Sequence, residues 1–228
     1  MNAKSSEERW KVKVGEFGTT SVALQRSEAA PNGRTVIIAP SSGGSMDYKT
    51  TLNLAAIFLE RGFNVGRFNF LYQELKTGPP DRMPKLIACY SAVVEQLRSE
   101  ISPGVLLLGG HSMGGRVATT MASEGFSADG LIPLAYPLHP GGQPEKLRDT
   151  HLHSITQPVL CLNGTRDDLC TQELMNSVVS KLNANWTMHW LEGADHSFHV
   201  LKRSGRTEQD VFQEIGDTAR DWAKRIFG

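Results

Sequence analysis

Short aliphatic or β-branched runs alternate along the chain with stretches whose apolar residues fall three or four apart. Thr35–Ala39 and Val105–Leu108 have the unbroken apolar character of buried central strands. Asn64–Phe70, Leu131–Tyr136, Val159–Asn163 and Trp186–Leu191 read as further strands. Leu52, Ala55, Ala56 and Leu59 predict an amphipathic helix that Gly62 ends. Leu86, Tyr90, Val93 and Leu97 predict a second helix from near Pro84. Val117, Ala118, Met121 and Ala122 predict a deeply packed helix after Ser112, and Val211, Ile215, Ala219, Trp222 and Ile226 stripe a C-terminal one. Trp10–Phe17 and Ser21–Arg26, joined by Gly18-Thr19-Thr20, predict an antiparallel hairpin at the sheet edge. The alternation specifies an α/β chain with a mostly parallel central sheet and helices on both faces. Between Tyr136 and Pro158 there is room for a short helix, Pro144–His153, but not for a large cap domain. A site at the strand ends should therefore be open.

Composition narrows the function classes. The 228 residues suit a single α/β domain, residues 1–228, with residues 1–30 as its edge hairpin. Lys+Arg and Asp+Glu are both 24, so the net charge is zero, against a nucleic-acid-binding surface. No apolar run is long enough for a membrane span, and the first residues lack the apolar core of a secretory signal. Three cysteines without metal-ligand spacing (Cys89, Cys161 and Cys170) suggest a reducing, cytoplasmic setting.

The chemistry centres on Gly110-His111-Ser112-Met113-Gly114, a G-x-S-x-G pattern. The pattern alone is unspecific, but it follows the strand run VLLL and opens a helix, the setting a nucleophilic serine on a tight turn requires. A serine hydroxyl needs a base, and the base needs an orienting carboxylate. In this architecture the order is serine, acid, histidine. Asp167 and Asp168 follow the strand ending at Asn163, and the turn favours Asp167. His196 follows the last strand and is the expected base, with His199 and His189 as competitors. For the developing oxyanion, the expected donors are the backbone N–H groups of Met113 and Ser42; Pro40 has none.

Other polar residues have quieter readings. Arg67, Asn69, Tyr72 and Glu74 are expected to form a buried polar network rather than line a pocket, and Arg116 to pair with Glu74 or Asp47. His139 is a candidate to face the site. His151 and His153 read as surface histidines rather than metal ligands, and Trp186 and Trp190 as core or interface.

GGSMDY (43–48), RFNFLYQE (67–74), GGHSMGGR (109–116), LAYPLHPGGQPEKLRDTHL (134–152), NGTRDDL (163–169) and WLEGADHSF (190–198) carry a resemblance over most of the chain. The sequence resembles the α/β-hydrolase superfamily. More narrowly it is similar to the small hydrolase-like family of testis-expressed protein 30 and NSL complex subunit 3, and to bacterial dienelactone-hydrolase-like proteins. The resemblance implies an α/β-hydrolase fold, Ser112 as nucleophile, Asp167 as acid, His196 as base, and no cofactor or metal. Pro40-Ser41 stands where the family usually has His-Gly, so the resemblance leaves the geometry of that loop open. The expected activity is hydrolysis of small, accessible carboxylic esters, lactones or thioesters. A non-catalytic scaffold, or a peptidase or acyltransferase using the same residues, is the alternative.

Overall fold

The computed structural model describes residues 7–30, 33–182 and 185–228. Its strands are β1 (Glu7–Lys13), β2 (Thr19–Gln25), β3 (Arg34–Ala39), β4 (Asn64–Phe68), β5 (Val105–His111), β6 (Gly130–Leu134), β7 (Val159–Gly164) and β8 (Trp186–Leu191). Its helices are α1 (Lys49–Glu60), α2 (Leu71–Leu75), α3 (Met83–Ile101), α4 (Met113–Ser123), α5 (Gln172–Val179) and α6 (Glu208–Phe227). The strands form one sheet in the order β1-β2-β4-β3-β5-β6-β7-β8. β1 and β2 make the expected edge hairpin, and β2 also pairs antiparallel with β4. All the remaining pairings are parallel. Residues 1–6, included in the expected hairpin region, lie outside the described residues.

The central strands are buried on both sides, which is why their sequences do not alternate with polar residues. Ile37, Leu106 and Leu108 point into one core with Tyr90 and Val93 of α3 and Val117 and Met121 of α4. Ile38 and Leu107 point into the opposite core with Phe58 of α1 and Ile215 and Trp222 of α6. Adjacent strand residues thus feed opposite layers, as a pleat with period two requires.

The structure corrects several local expectations. The strand after Gly62 ends at Phe68, and α2 follows where Leu71–Leu75 had no assigned helix. There Gln73 Oε1 accepts the Phe70 backbone N–H at 2.9 Å, satisfying a donor that the turn out of the sheet would orphan. The strand expected to reach Tyr136 stops at Leu134. Pro144–His153 holds only a 3-10 turn at its end, Thr150–Ser154, so no cap is built over the strand ends. α1 buries Leu54, Ile57 and Phe58, whereas Leu52 and Ala56 of the expected stripe are exposed. α5, not anticipated, starts at Thr171, whose hydroxyl accepts the Leu174 N–H.

Candidate active site

Ser112 sits between the last residue of β5 and the first of α4 with φ +54° and ψ −113°, backbone that L-residues adopt only under constraint. The glycines around it explain how that turn is held. A Cβ on Gly110 would lie 2.6 Å from the Gly114 carbonyl carbon and 2.7 Å from the Ala39 oxygen. A Cβ on Gly114 would lie 2.7 Å from the Ala39 carbonyl carbon. Helix α4 therefore starts in direct backbone contact with β3 and β5, a separation no side chain permits. The turn projects Ser112 to the C-terminal edge of the sheet, at the positive end of α4.

Three expected residues converge there. Ser112 Oγ lies 2.8 Å from His196 Nε2. His196 Nδ1 lies 2.8 and 3.0 Å from the two oxygens of Asp167. A serine hydroxyl, an imidazole and a carboxylate so ordered fix the tautomer: Nδ1–H donates to Asp167, and Nε2 is left to accept the serine proton. The Asp167 side chain is fully buried, and its oxygens also accept from the Leu169 N–H at 2.8 Å and Asn163 Nδ2 at 3.3 Å. Asp168 is exposed and His199 lies against Asp195 and Glu208, outside this group. His189 is bound to Glu214 of α6 at 2.8 Å.

Two supporting residues escaped the sequence reading. Buried His111 lies behind the base, its Nε2 2.8 Å from the His196 carbonyl oxygen. A carbonyl only accepts, so Nε2 carries the proton. Burial holds the His111 pKa down at about 4, so the ring is neutral and anchors the loop that carries His196. Its position inside the G-x-S-x-G pattern was the available signal. Asn163, read as a strand residue, ties Tyr136 N–H (3.0 Å) and Tyr136 carbonyl (3.2 Å) to Asp167.

The loop after β3 is held from behind by the expected polar residues Arg67, Asn69, Tyr72 and Glu74, joined by Gln73, which the sequence reading left out. Gln73 Nε2 donates to the carbonyls of Ser41 (2.9 Å) and Gly44 (2.7 Å), and Tyr72 O–H donates to that of Ser42 (2.7 Å). Asn69 Oδ1 accepts the Met46 N–H at 2.8 Å, and Asn69 Nδ2 donates to Glu74. Buried Arg67 pairs with Glu7 and Asp47. With its carbonyl fixed on Tyr72, Ser42 has a backbone N–H without a hydrogen-bond partner among the described residues.

Ser42, Ser112, Met113 and His139 all line one cleft of about 430 Å³. Arg116 lines it too; it does not reach Glu74 or Asp47, which pair instead with Lys11 and with Arg9 and Arg67. His151 is half-buried rather than on the surface, with Nε2 3.0 Å from Thr119 Oγ, while His153 is exposed. Trp186 and Trp190 pack on the α3/α4 core. Among the described residues no group of three or more His, Cys, Asp or Glu could hold a metal ion, and no helix is long and apolar enough to cross a membrane.

A family model for the alpha/beta hydrolase domain matches residues 32–224. The chain belongs to that family. The α/β-hydrolase domain is similar throughout its length to solved structures. An alpha-beta serine hydrolase homologue from Coxiella burnetii is 22% identical, with a TM-score of 0.75 over 92% of this chain and 96% of that one. A lidless serine hydrolase from Xanthomonas campestris is 22% identical, with a TM-score of 0.72 over 95% of each chain. A dienelactone hydrolase from Anabaena variabilis is 17% identical, with a TM-score of 0.76 over 98% of this chain and 99% of that one. At such identities the likeness establishes a shared fold.

Proposed function

We propose that the α/β-hydrolase domain, residues 1–228 acting as one unit, is a serine hydrolase of small, accessible carboxylic esters. The continuous Ser112–His196–Asp167 hydrogen-bond chain on a strained turn carries this reading. Ser112 Oγ attacks the ester carbonyl as Nε2 takes its proton. Asp167 keeps the imidazole in the required tautomer and stabilises its cation. The tetrahedral oxyanion is received by the N–H groups of Ser42 and Met113. His196 returns the proton to the leaving alkoxide, giving an acyl-enzyme. Water, deprotonated by His196, then attacks the acyl carbon and releases the acid and Ser112. Water supplies the oxygen, and the residues return to their starting states.

The free Ser42 N–H and its clamped carbonyl support the oxyanion assignment despite Pro40-Ser41. The open cleft, without a cap, supports short or accessible acyl chains. The likeness to a dienelactone hydrolase supports ester over peptide substrates. Three buried, unpaired cysteines support a reducing, cytoplasmic location. The test is turnover of 4-nitrophenyl acetate and butyrate by the wild type and Ser112→Ala. The reading requires turnover in the first and its loss in the second; equal rates, or none from folded wild type, contradict it.

A further inference from the structure

Beside Ser112 the cleft carries charge that the ester chemistry does not use. Arg116 stands on α4, four residues after Ser112, and Arg148 comes from the segment between β6 and β7. Both line the cleft of Ser112 and also the adjoining groove of about 530 Å³ that runs toward His151, so they form the wall the two share. Arg61, Arg67 and Arg206 each meet a carboxylate. Among the described residues neither Arg116 nor Arg148 does; Arg148 Nη1 donates only to the Pro137 carbonyl, at 3.4 Å. The carboxylate in the cleft, Asp81, is engaged by Lys85 at 2.8 Å and by the Tyr72 N–H at 3.1 Å. His139, buried at the Ser112 cleft, donates through Nδ1 to the Pro140 carbonyl, and its Nε2 has no partner among the described residues. Partial burial, and after it the like charge of Arg116, depress the Arg148 pKa. Two half-buried guanidinium groups lining one cleft, neither of them paired with a carboxylate, are costly unless something anionic joins them.

We infer that Arg116 and Arg148 bind a second, anionic group on the ester, carboxylate or phosphate, and so select anionic esters. The inference rests on the ester-hydrolase reading. A charge-assisted hydrogen bond contributes about 1.5–3 kcal/mol, which corresponds to roughly tenfold or more in kcat/KM.

The experiment compares charged and neutral partners of matched length. Mono-4-nitrophenyl adipate is set against 4-nitrophenyl hexanoate, with 4-nitrophenyl 5-phosphonopentanoate as the phosphate-like arm. 4-Carboxyphenyl butyrate against phenyl butyrate moves the anion to the leaving group. The wild type should favour at least one anionic member about tenfold over its neutral match. The readout is that ratio, whatever happens to the neutral rate. It should fall toward one in Arg116→Gln and Arg148→Gln, and below one in Arg116→Glu. Hydrolysis of neutral esters with all ratios near one, or ratios unmoved by the variants, overturns the inference and leaves the hydrolase reading intact. If no ester turns over, calorimetric binding of monomethyl adipate against neutral methyl hexanoate decides it. Monomethyl adipate binding that exceeds that of the neutral ester and is lost in Arg116→Gln supports the anion site alone; equal or absent binding refutes it.

Discussion

His111 gives a prediction whose sign and size follow from its surroundings. The ring is buried, donates to the His196 carbonyl at 2.8 Å, and has its pKa lowered from 6.5 to about 4. The unfolded chain takes up this proton near pH 6.5 and the folded chain only near pH 4. Between those values the unfolded state holds more protons, so stability contributed by the neutral ring is fully present above pH 6.5. It is lost as pH falls toward 4. At about 1.4 kcal/mol for each tenfold change in proton affinity, the gap amounts to about 3 kcal/mol. His111→Gln keeps an N–H donor and removes the titration. Urea unfolding at pH 7.5, 5.5 and 4 should show wild type losing about 3 kcal/mol more than His111→Gln across the range, whatever their difference at pH 7.5. His151, also held near pH 4 by burial, is present in both proteins and cancels. Glu74, lowered to about 2 through its bonds to Lys11, Asn69 and Ser21, loses its contribution mostly below the window. Parallel stability curves would refute the account of a neutral, buried His111.

Other outcomes follow from the same geometry. Asp167→Asn should lower kcat by about 10³–10⁴ through the wrong imidazole tautomer, whereas exposed Asp168→Asn leaves it near wild type; steady-state kinetics on 4-nitrophenyl butyrate checks both. Tyr72→Phe releases the Ser42 carbonyl and should cost about three- to tenfold in kcat with KM little changed, as one neutral hydrogen bond allows. Gly114→Ala forces a methyl onto the Ala39 backbone and should destabilise by at least about 1–3 kcal/mol in chemical unfolding, although alanine is the better helix former.

Much of this was readable in the chain, for identifiable reasons. The strand runs and the serine–acid–histidine order stand in the chain itself, although two strands stop at Phe68 and Leu134, short of the ends of their apolar runs. The turn favours Asp167 over Asp168, and the fold gives the reason: Asp167 turns inward onto His196 while its neighbour Asp168 faces solvent. α1 holds two apolar sets at helical spacing, and packing beneath α6 selected Leu54, Ile57 and Phe58 over Leu52 and Ala56. α2 was hidden because FNFLY continues an apolar strand run, and the turn depends on Gln73 reaching back to Phe70. α5 did carry a signal in Thr171 and the spacing of Leu174, Met175 and Val178. Arg116 was expected to pair with Glu74 or Asp47, yet Lys11 takes Glu74 and Arg9 and Arg67 take Asp47, leaving Arg116 in the cleft.

The central claim is that Ser112 is the acylated nucleophile. A fluorophosphonate reacts with a serine that has a working base and oxyanion site, so the direct measurement is peptide mapping of the labelled protein by mass spectrometry. The account predicts one adduct, on Ser112, absent from Ser112→Ala and strongly slowed in His196→Ala. An adduct on another residue, or a folded wild type that takes no label, would contradict it.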